Sequence, residues 1–187
     1  MKRKIYFITS SAYKLAVTQK PLANTDLEVE QLNLDYEVPE IQDPSSEEVA
    51  KWSAQWAANA TNKPVAVTDA GYYITSLNGF PGSFIKYVNK WLTSDDLLRL
   101  MEGKEDRTVE VRESLAYCEP EREPIVVSGI AYGTISYQKG RSARTPINEI
   151  FIPKGLSVVE SELATETMQT FYAESMNLWV QLANKLD

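Results

Sequence analysis

The hydrophobic pattern changes character near residue 105, and that change limits the folds open to the chain. Before it, short apolar runs alternate with segments of helical period. Ile5 to Thr9 is a buried strand ending in a polar turn, and Ala12 to Lys20 is a helix closed by Pro21. Leu27 to Leu32 alternates as a strand. Ser45 to Asn59 is the strongest helix, with Ser45 and Glu48 at capping-box spacing and Val49, Trp52 and Trp56 as its apolar stripe. Val65 to Val67 and Tyr72 to Leu77 read as two strands, with Asp69 at the end of the first. Phe84 to Leu92 and Thr93 to Glu102 read as helices. After it, strands follow one another directly: Thr108 to Arg112, Leu115 to Cys118, Ile125 to Tyr132 and Gly133 to Ser136, then the short apolar run Ile150 to Pro153. Thr165 to Leu186 closes the chain as one helix with a broad apolar face that includes Trp179. Units of α/β followed by a meander predict a mixed α/β fold with two lobes around a cleft.

Size and charge narrow the function. The 187 residues suit one domain, 1–187, with two lobes. A net charge of −7 argues against a nucleic-acid groove or a polybasic membrane surface, without excluding a local basic pocket. No apolar run approaches the ~20 residues of a membrane span, and the basic start at Met1 to Lys4 precedes too short an apolar run for a signal peptide. One cysteine, Cys118, allows no intramolecular disulfide and reads as an inert buried thiol. The expectation is a cytoplasmic protein.

The chain has no histidine. That removes a Ser-His-Asp triad, a Cys-His pair and an imidazole zinc site. Acid-base or metal work falls to carboxylates, lysines, tyrosines and hydroxyls. Carboxylates select hard cations, so a metal here is expected to be Mg²⁺, with Mn²⁺ second. Lys14, Lys51 and Lys86 fall at element ends or early in helices, as do Glu40, in a Pro-bracketed acidic stretch, and Asp69. Lysines and carboxylates around one cleft suit a polyphosphate carrying a divalent metal. Taken singly, each has a bland reading as a solvated charge or turn residue.

Several motifs carry a resemblance. Thr9-Ser10-Ser11-Ala12-Tyr13-Lys14, Val38-Pro39-Glu40-Ile41-Gln42, Lys51, Asp69-Ala70-Gly71, Leu77-Asn78-Gly79-Phe80-Pro81-Gly82 and Phe84-Ile85-Lys86 together resemble the inosine triphosphate pyrophosphatase (Ham1-like) family. The similarity runs over about the first 100 residues and continues more faintly to the end. It implies the elongated, twisted central sheet with flanking helices that this family shares with Maf-like proteins. It also implies Mg²⁺-dependent cleavage of a nucleoside triphosphate, deaminated or modified purine nucleotides among the candidates, to the monophosphate and pyrophosphate. By position, Glu40 and Asp69 hold the metal, and Asp69, Lys14 and Glu40 form the catalytic set. Ser11, Lys14, Lys51 and Lys86 meet the phosphates. The family also implies a homodimer.

The chain departs from the family at informative places. The family has two adjacent acids where this chain has Thr68-Asp69, and an asparagine where it has Ser11. The family's Phe-Gly-Tyr/Trp-Asp-Pro is replaced by Thr145-Pro146-Ile147-Asn148-Glu149, and its Ser-His-Arg by Ala173-Glu174-Ser175. Asn148, Glu174 and Ser175 are therefore the candidates for a rewritten base pocket, with substrate preference broader than, or displaced from, inosine. The alternatives are a member that binds nucleotide without turnover, and a non-catalytic interaction module presenting Tyr72, Tyr87 and Trp91.

Overall fold

The computed structural model describes residues 2–9, 14, 15, 18, 21–23 and 25–186. Ser11 and most of the expected helix from Ala12 to Lys20 lie outside the described residues. The chain divides into two compact units, Met1–Asp69 with Glu113–Gly129 and Met176–Asp187, and Ala70–Arg112 with Ile130–Ser175.

Strands β1 (Arg3–Phe7), β2 (Leu27–Gln31), β3 (Val65–Ile74), β4 (Pro81–Gly82), β5 (Thr108–Cys118), β6 (Ile125–Ile135) and β7 (Phe151–Pro153) form one sheet in the order β2-β1-β3-β5-β6-β7, with β4 paired to β3. β1 runs parallel to β2 and β3, whereas β4 is antiparallel to β3 and β7 to β6. The fold is mixed α/β, as the sequence pattern predicts. Three strands are longer than expected. The pairs read as Val65 to Val67 with Tyr72 to Leu77, Thr108 to Arg112 with Leu115 to Cys118, and Ile125 to Tyr132 with Gly133 to Ser136 merge into single strands β3, β5 and β6, of which β3 ends at Ile74, so that Thr75 to Leu77 is a 3-10 turn and not strand, and β6 ends at Ile135.

In the first unit, α1 (Ser46–Thr61) starts at Ser45, whose hydroxyl accepts from the Glu48 backbone N–H at 3.4 Å, and stops at Asn62 in the left-handed region with φ 52°. Its buried face is built from Ala50, Ala54, Ala57 and Ala58 rather than the two tryptophans. Small side chains let this helix lie close on the sheet against Val65, Ala116 and Cys118. Trp56 is half-buried beside that cluster, edge-on to Tyr36 at 5.9 Å. Val49 of the expected stripe is buried, whereas Trp52 and Trp56 stand only half-buried at its margin. The opposite face of β1 carries Phe7, whose ring meets Trp179 edge-on at 5.1 Å. Trp179 belongs to α5 (Leu178–Leu186), which is separate from α4 (Thr165–Met176), because Asn177 between them takes φ 48°. Asparagine tolerates that conformation with little strain, so the single expected helix breaks there.

In the second unit, α2 (Ile85–Trp91) and α3 (Ser94–Leu100) follow β4. Thr93 and Asp96 form a reciprocal capping box at the start of α3. Arg107 is buried, and its guanidinium donates to the carbonyls of Ile135 at 2.7 Å, Met101 at 3.1 Å and Ser136 at 2.7 Å. One planar fork thereby fastens the start of β5 to the end of β6 and to the segment after α3.

Candidate active site

β1 pairs with β3 only to the register Phe7↔Ala66, while β3 runs on to Ile74. Asp69 is therefore not at the end of its own strand, as the sequence suggested. It lies within β3, just past the end of β1. The position still has the character expected of a site, because ligands gather beyond the carboxyl ends of parallel strands.

Alternation along β3 sorts the candidate residues onto two faces. Tyr6, Ile8, Val65 and Val67 pack on the alanine face of α1. Asp69 continues that series, on the same side of the sheet as Lys51 of α1. Glu40 reaches this side on an extended segment tied to the helix. Val38 packs on the alanine cluster, and Ser53 donates to the Pro39 carbonyl at 3.4 Å. Glu40 itself is exposed, Lys51 half-buried, and the Oδ2 atom of Asp69 is closed off from solvent.

Thr68 belongs to the other face, in series with Ala66. Its hydroxyl accepts a hydrogen bond from Lys14 Nζ at 2.8 Å. The same ammonium lies 3.1 Å from Glu113 Oε1, on β5. Ser114, Ala116 and Cys118 look toward α1, so Glu113 looks away from it, in agreement with this contact. Of the residues singled out in the sequence, the first unit thus brings Asp69, Lys51 and Glu40 to one face and Lys14 to the other. Glu113 was missed. It falls in the gap between the strands expected at Thr108 to Arg112 and Leu115 to Cys118, and only its tertiary contact distinguishes it.

In the second unit Gly71 explains why the Asp-Ala-Gly stretch does not turn. A Cβ on it would sit 2.7 Å from the carbonyl carbon and oxygen of Gly82 and 2.8 Å from the Ser83 nitrogen. The glycine serves close approach of β3 and β4, in the register Tyr72↔Gly82, instead of a reversal. Lys86 stands exposed in the first turn of α2. Asn148 lies in a 3-10 turn, Pro146–Glu149, and hydrogen-bonds Glu160. Glu174 and Ser175 are exposed near the end of α4.

Glu160 also accepts from Tyr172 at 3.1 Å and Tyr72 at 3.5 Å, and the two phenols lie 3.3 Å apart. Burial pushes the Glu160 carboxyl above its usual range, although bonds from Asn148, Tyr172 and Tyr72 favour the charged form. Burial also raises the Tyr172 phenol well above its ordinary value. Tyr72 is committed to this cluster and stacks edge-on against Phe151 at 5.4 Å. It is not part of the exposed aromatic patch expected from the sequence, which reduces to Tyr87 and Trp91, 5.5 Å apart. Cys118 is buried, and burial lifts its thiol to about 11, so it stays protonated and unreactive near neutral pH.

Among the described residues no group of three acidic, cysteine or histidine side chains is arranged to hold a metal. None of the helices there is long and apolar enough to cross a membrane.

Fold and site together define a mixed α/β protein in which Lys14, Thr68 and Asp69 lie just past the end of a parallel strand. The Ham1 family model matches residues 5–173. The chain is 38% identical over 157 residues to the dITP/XTP pyrophosphatase of Methanosarcina acetivorans, covering 84% of each. It is 35% identical over 175 residues to the enzyme of that name from Methanothermobacter marburgensis, covering 94% of this chain and 92% of the relative. A HAM1 protein from Coxiella burnetii superposes with a TM-score of 0.78 at 25% identity, over 100% of this chain and 98% of the other. The chain belongs to the Ham1 family.

Proposed function

We propose that this chain is a nucleoside triphosphate pyrophosphohydrolase acting on purine nucleotides of the dITP and XTP kind. Water attacks the α-phosphorus, the α–β anhydride bond breaks, and pyrophosphate leaves with the bridging oxygen and its electron pair. The observation that carries this reading is the placement of Lys14, Thr68 and Asp69 just past the end of β1 in a member of the Ham1 family.

The residues divide the work by charge. Lys14 and Lys51 neutralise phosphate oxygens, and their charge favours the transition state as negative charge builds on the departing pyrophosphate. Lys86 is the second unit's candidate phosphate ligand, and Asn148 its candidate base reader. Asp69, with one carboxylate oxygen closed off from solvent, is suited to orient the attacking water or hold a cation. A donor set of two carboxylates, Asp69 and Glu40, fits Mg²⁺, which characteristically takes one or two protein carboxylates and completes its shell with phosphate oxygens and water. When bound, Mg²⁺ supplies charge neutralisation on the phosphates. A cytoplasmic homodimer is part of the same reading, with the exposed Tyr87–Trp91 pair as the surface to examine by sedimentation.

The deciding experiment measures pyrophosphate release from xanthosine, deoxyinosine, inosine and the common nucleoside triphosphates, with Mg²⁺ or Mn²⁺. Asp69→Asn and Lys86→Met are run beside the wild type. The expected result is turnover that falls at least about a hundredfold in Asp69→Asn, the scale of losing a positioned acid-base group, with unchanged melting. Absence of turnover on every nucleotide refutes the hydrolase and leaves a binding protein or an interaction module on the same fold. A sharp preference for inosine triphosphate over the whole panel refutes a base choice broader than, or displaced from, inosine.

A further inference from the structure

Glu113 enters the first unit's site from a strand that carries none of the recognised motifs. Its Oε1 lies 3.1 Å from Lys14 Nζ, and the same ammonium donates to Thr68 Oγ1 at 2.8 Å. The carboxylate side chain is 20% exposed and the lysine 36%. The next residues on β5, Ser114 and Leu115, are buried. A carboxylate placed among such neighbours loses hydration. A half-buried ion pair returns little net stability for that loss, and an apolar side chain would fill the position at no such cost. What the carboxylate does provide is direction. A lysine ammonium rides on a flexible four-carbon stem, and it must meet a phosphate from one place. The Thr68 hydroxyl fixes one bond of that ammonium, and the Glu113 charge keeps it there before the polyphosphate arrives.

We propose that Glu113 is a positioning residue that holds Lys14 against Thr68 for polyphosphate binding. The proposal rests on the reading of Lys14 as a phosphate ligand. Glu113 acts through Lys14 and does not itself touch the nucleotide.

The test is a double-mutant cycle with Glu113→Ala, Lys14→Met and the two combined, together with Glu113→Asp. Three quantities are read: kcat/KM for pyrophosphate release from xanthosine triphosphate, the affinity for inorganic tripolyphosphate by titration calorimetry, and Tm. Glu113→Ala is expected to lower kcat/KM about tenfold or more, the scale on which misplacing a catalytic group acts. Tm should stay within about 2 °C, as for an ion pair of small net worth. Glu113→Asp should recover part of the loss. In the Lys14→Met background Glu113→Ala should change nothing further, since residues acting as a unit are non-additive.

Equal losses in both backgrounds, no loss in the single variant, or a loss accompanied by a matching fall in Tm would each overturn the proposal. If the wild type releases no pyrophosphate from any nucleotide, the hydrolase reading fails by itself, and the titration decides on Glu113. Weaker tripolyphosphate binding in Glu113→Ala, absent on top of Lys14→Met, sustains it. Unchanged affinity, or no binding by the wild type, ends it.

Discussion

Replacing Gly71 by alanine tests the close approach that shapes the middle of β3. The added methyl carbon would lie 2.7 Å from the Gly82 carbonyl group. Ordinary van der Waals separation requires the opposing peptide to withdraw by about 0.7 Å. That peptide is backbone of β4, paired in the register Tyr72↔Gly82 and Tyr73↔Pro81, so no side chain can swing aside. Overpacking of this kind costs about 1–3 kcal/mol. Alanine also lowers the entropy of the unfolded chain, which returns about 0.4–1 kcal/mol. Mid-range values of the two leave a net loss of about 1.3 kcal/mol, and for a chain of this length each kcal/mol moves Tm by about 2–4 °C. Thermal unfolding followed by circular dichroism should show Gly71→Ala melting about 3–5 °C below the wild type. A variant that melts at or above the wild-type temperature would show that β4 yields freely, and the argument that glycine is required there would be wrong.

Two other substitutions probe the second unit. The Glu160 carboxyl is raised by burial, so between the ordinary carboxylate range and its raised value the folded state binds more protons than the unfolded state. Stability from this group therefore falls as pH rises through that window and stays reduced above it. Glu160→Gln removes the dependence, so the melting temperature of the variant should gain on the wild type as pH rises from about 4 to about 8. Parallel curves would contradict it. Arg107→Lys replaces a planar fork bonded to three carbonyls by a point charge, leaving at least one buried acceptor unsatisfied. That costs about 1–3 kcal/mol, and denaturant titration showing wild-type stability would refute the fastening role.

The sequence revealed what local chemistry decides and hid what distant contacts decide. The start of α1 was legible because Ser45 and Glu48 satisfy helix N–H groups within one turn. Of the apolar stripe of the same helix, Val49 is buried as expected but the two tryptophans are not, because side-chain size favours tryptophan whereas a helix seated close on a sheet needs alanine. Asp69-Ala70-Gly71 reads as a break between two strands, since aspartate and glycine favour turns. The strand continues because Gly71 makes room for Gly82, a relation that lies in tertiary structure. The long C-terminal helix concealed a break at Asn177, whose left-handed backbone leaves only one weak local sign, the asparagine itself. Lys14, Lys51, Glu40 and Asp69 stand out as candidates through motifs. Glu113 and the Glu160 cluster do not, because their partners lie far along the chain.

The unbroken course of β3 sets a parity rule for its sequence. Thr68 addresses the Lys14 side of the sheet, Asp69 the α1 side, and Gly71 and Tyr72 meet β4, all on one strand with no turn between them. A strand counts in twos, so adding or deleting one residue between Asp69 and Gly71 would exchange the faces of everything beyond it. Tyr72 would then leave Glu160, or Thr68 would leave Lys14. This stretch can therefore change its letters but not its length, and engineering of the site is confined to substitution in place.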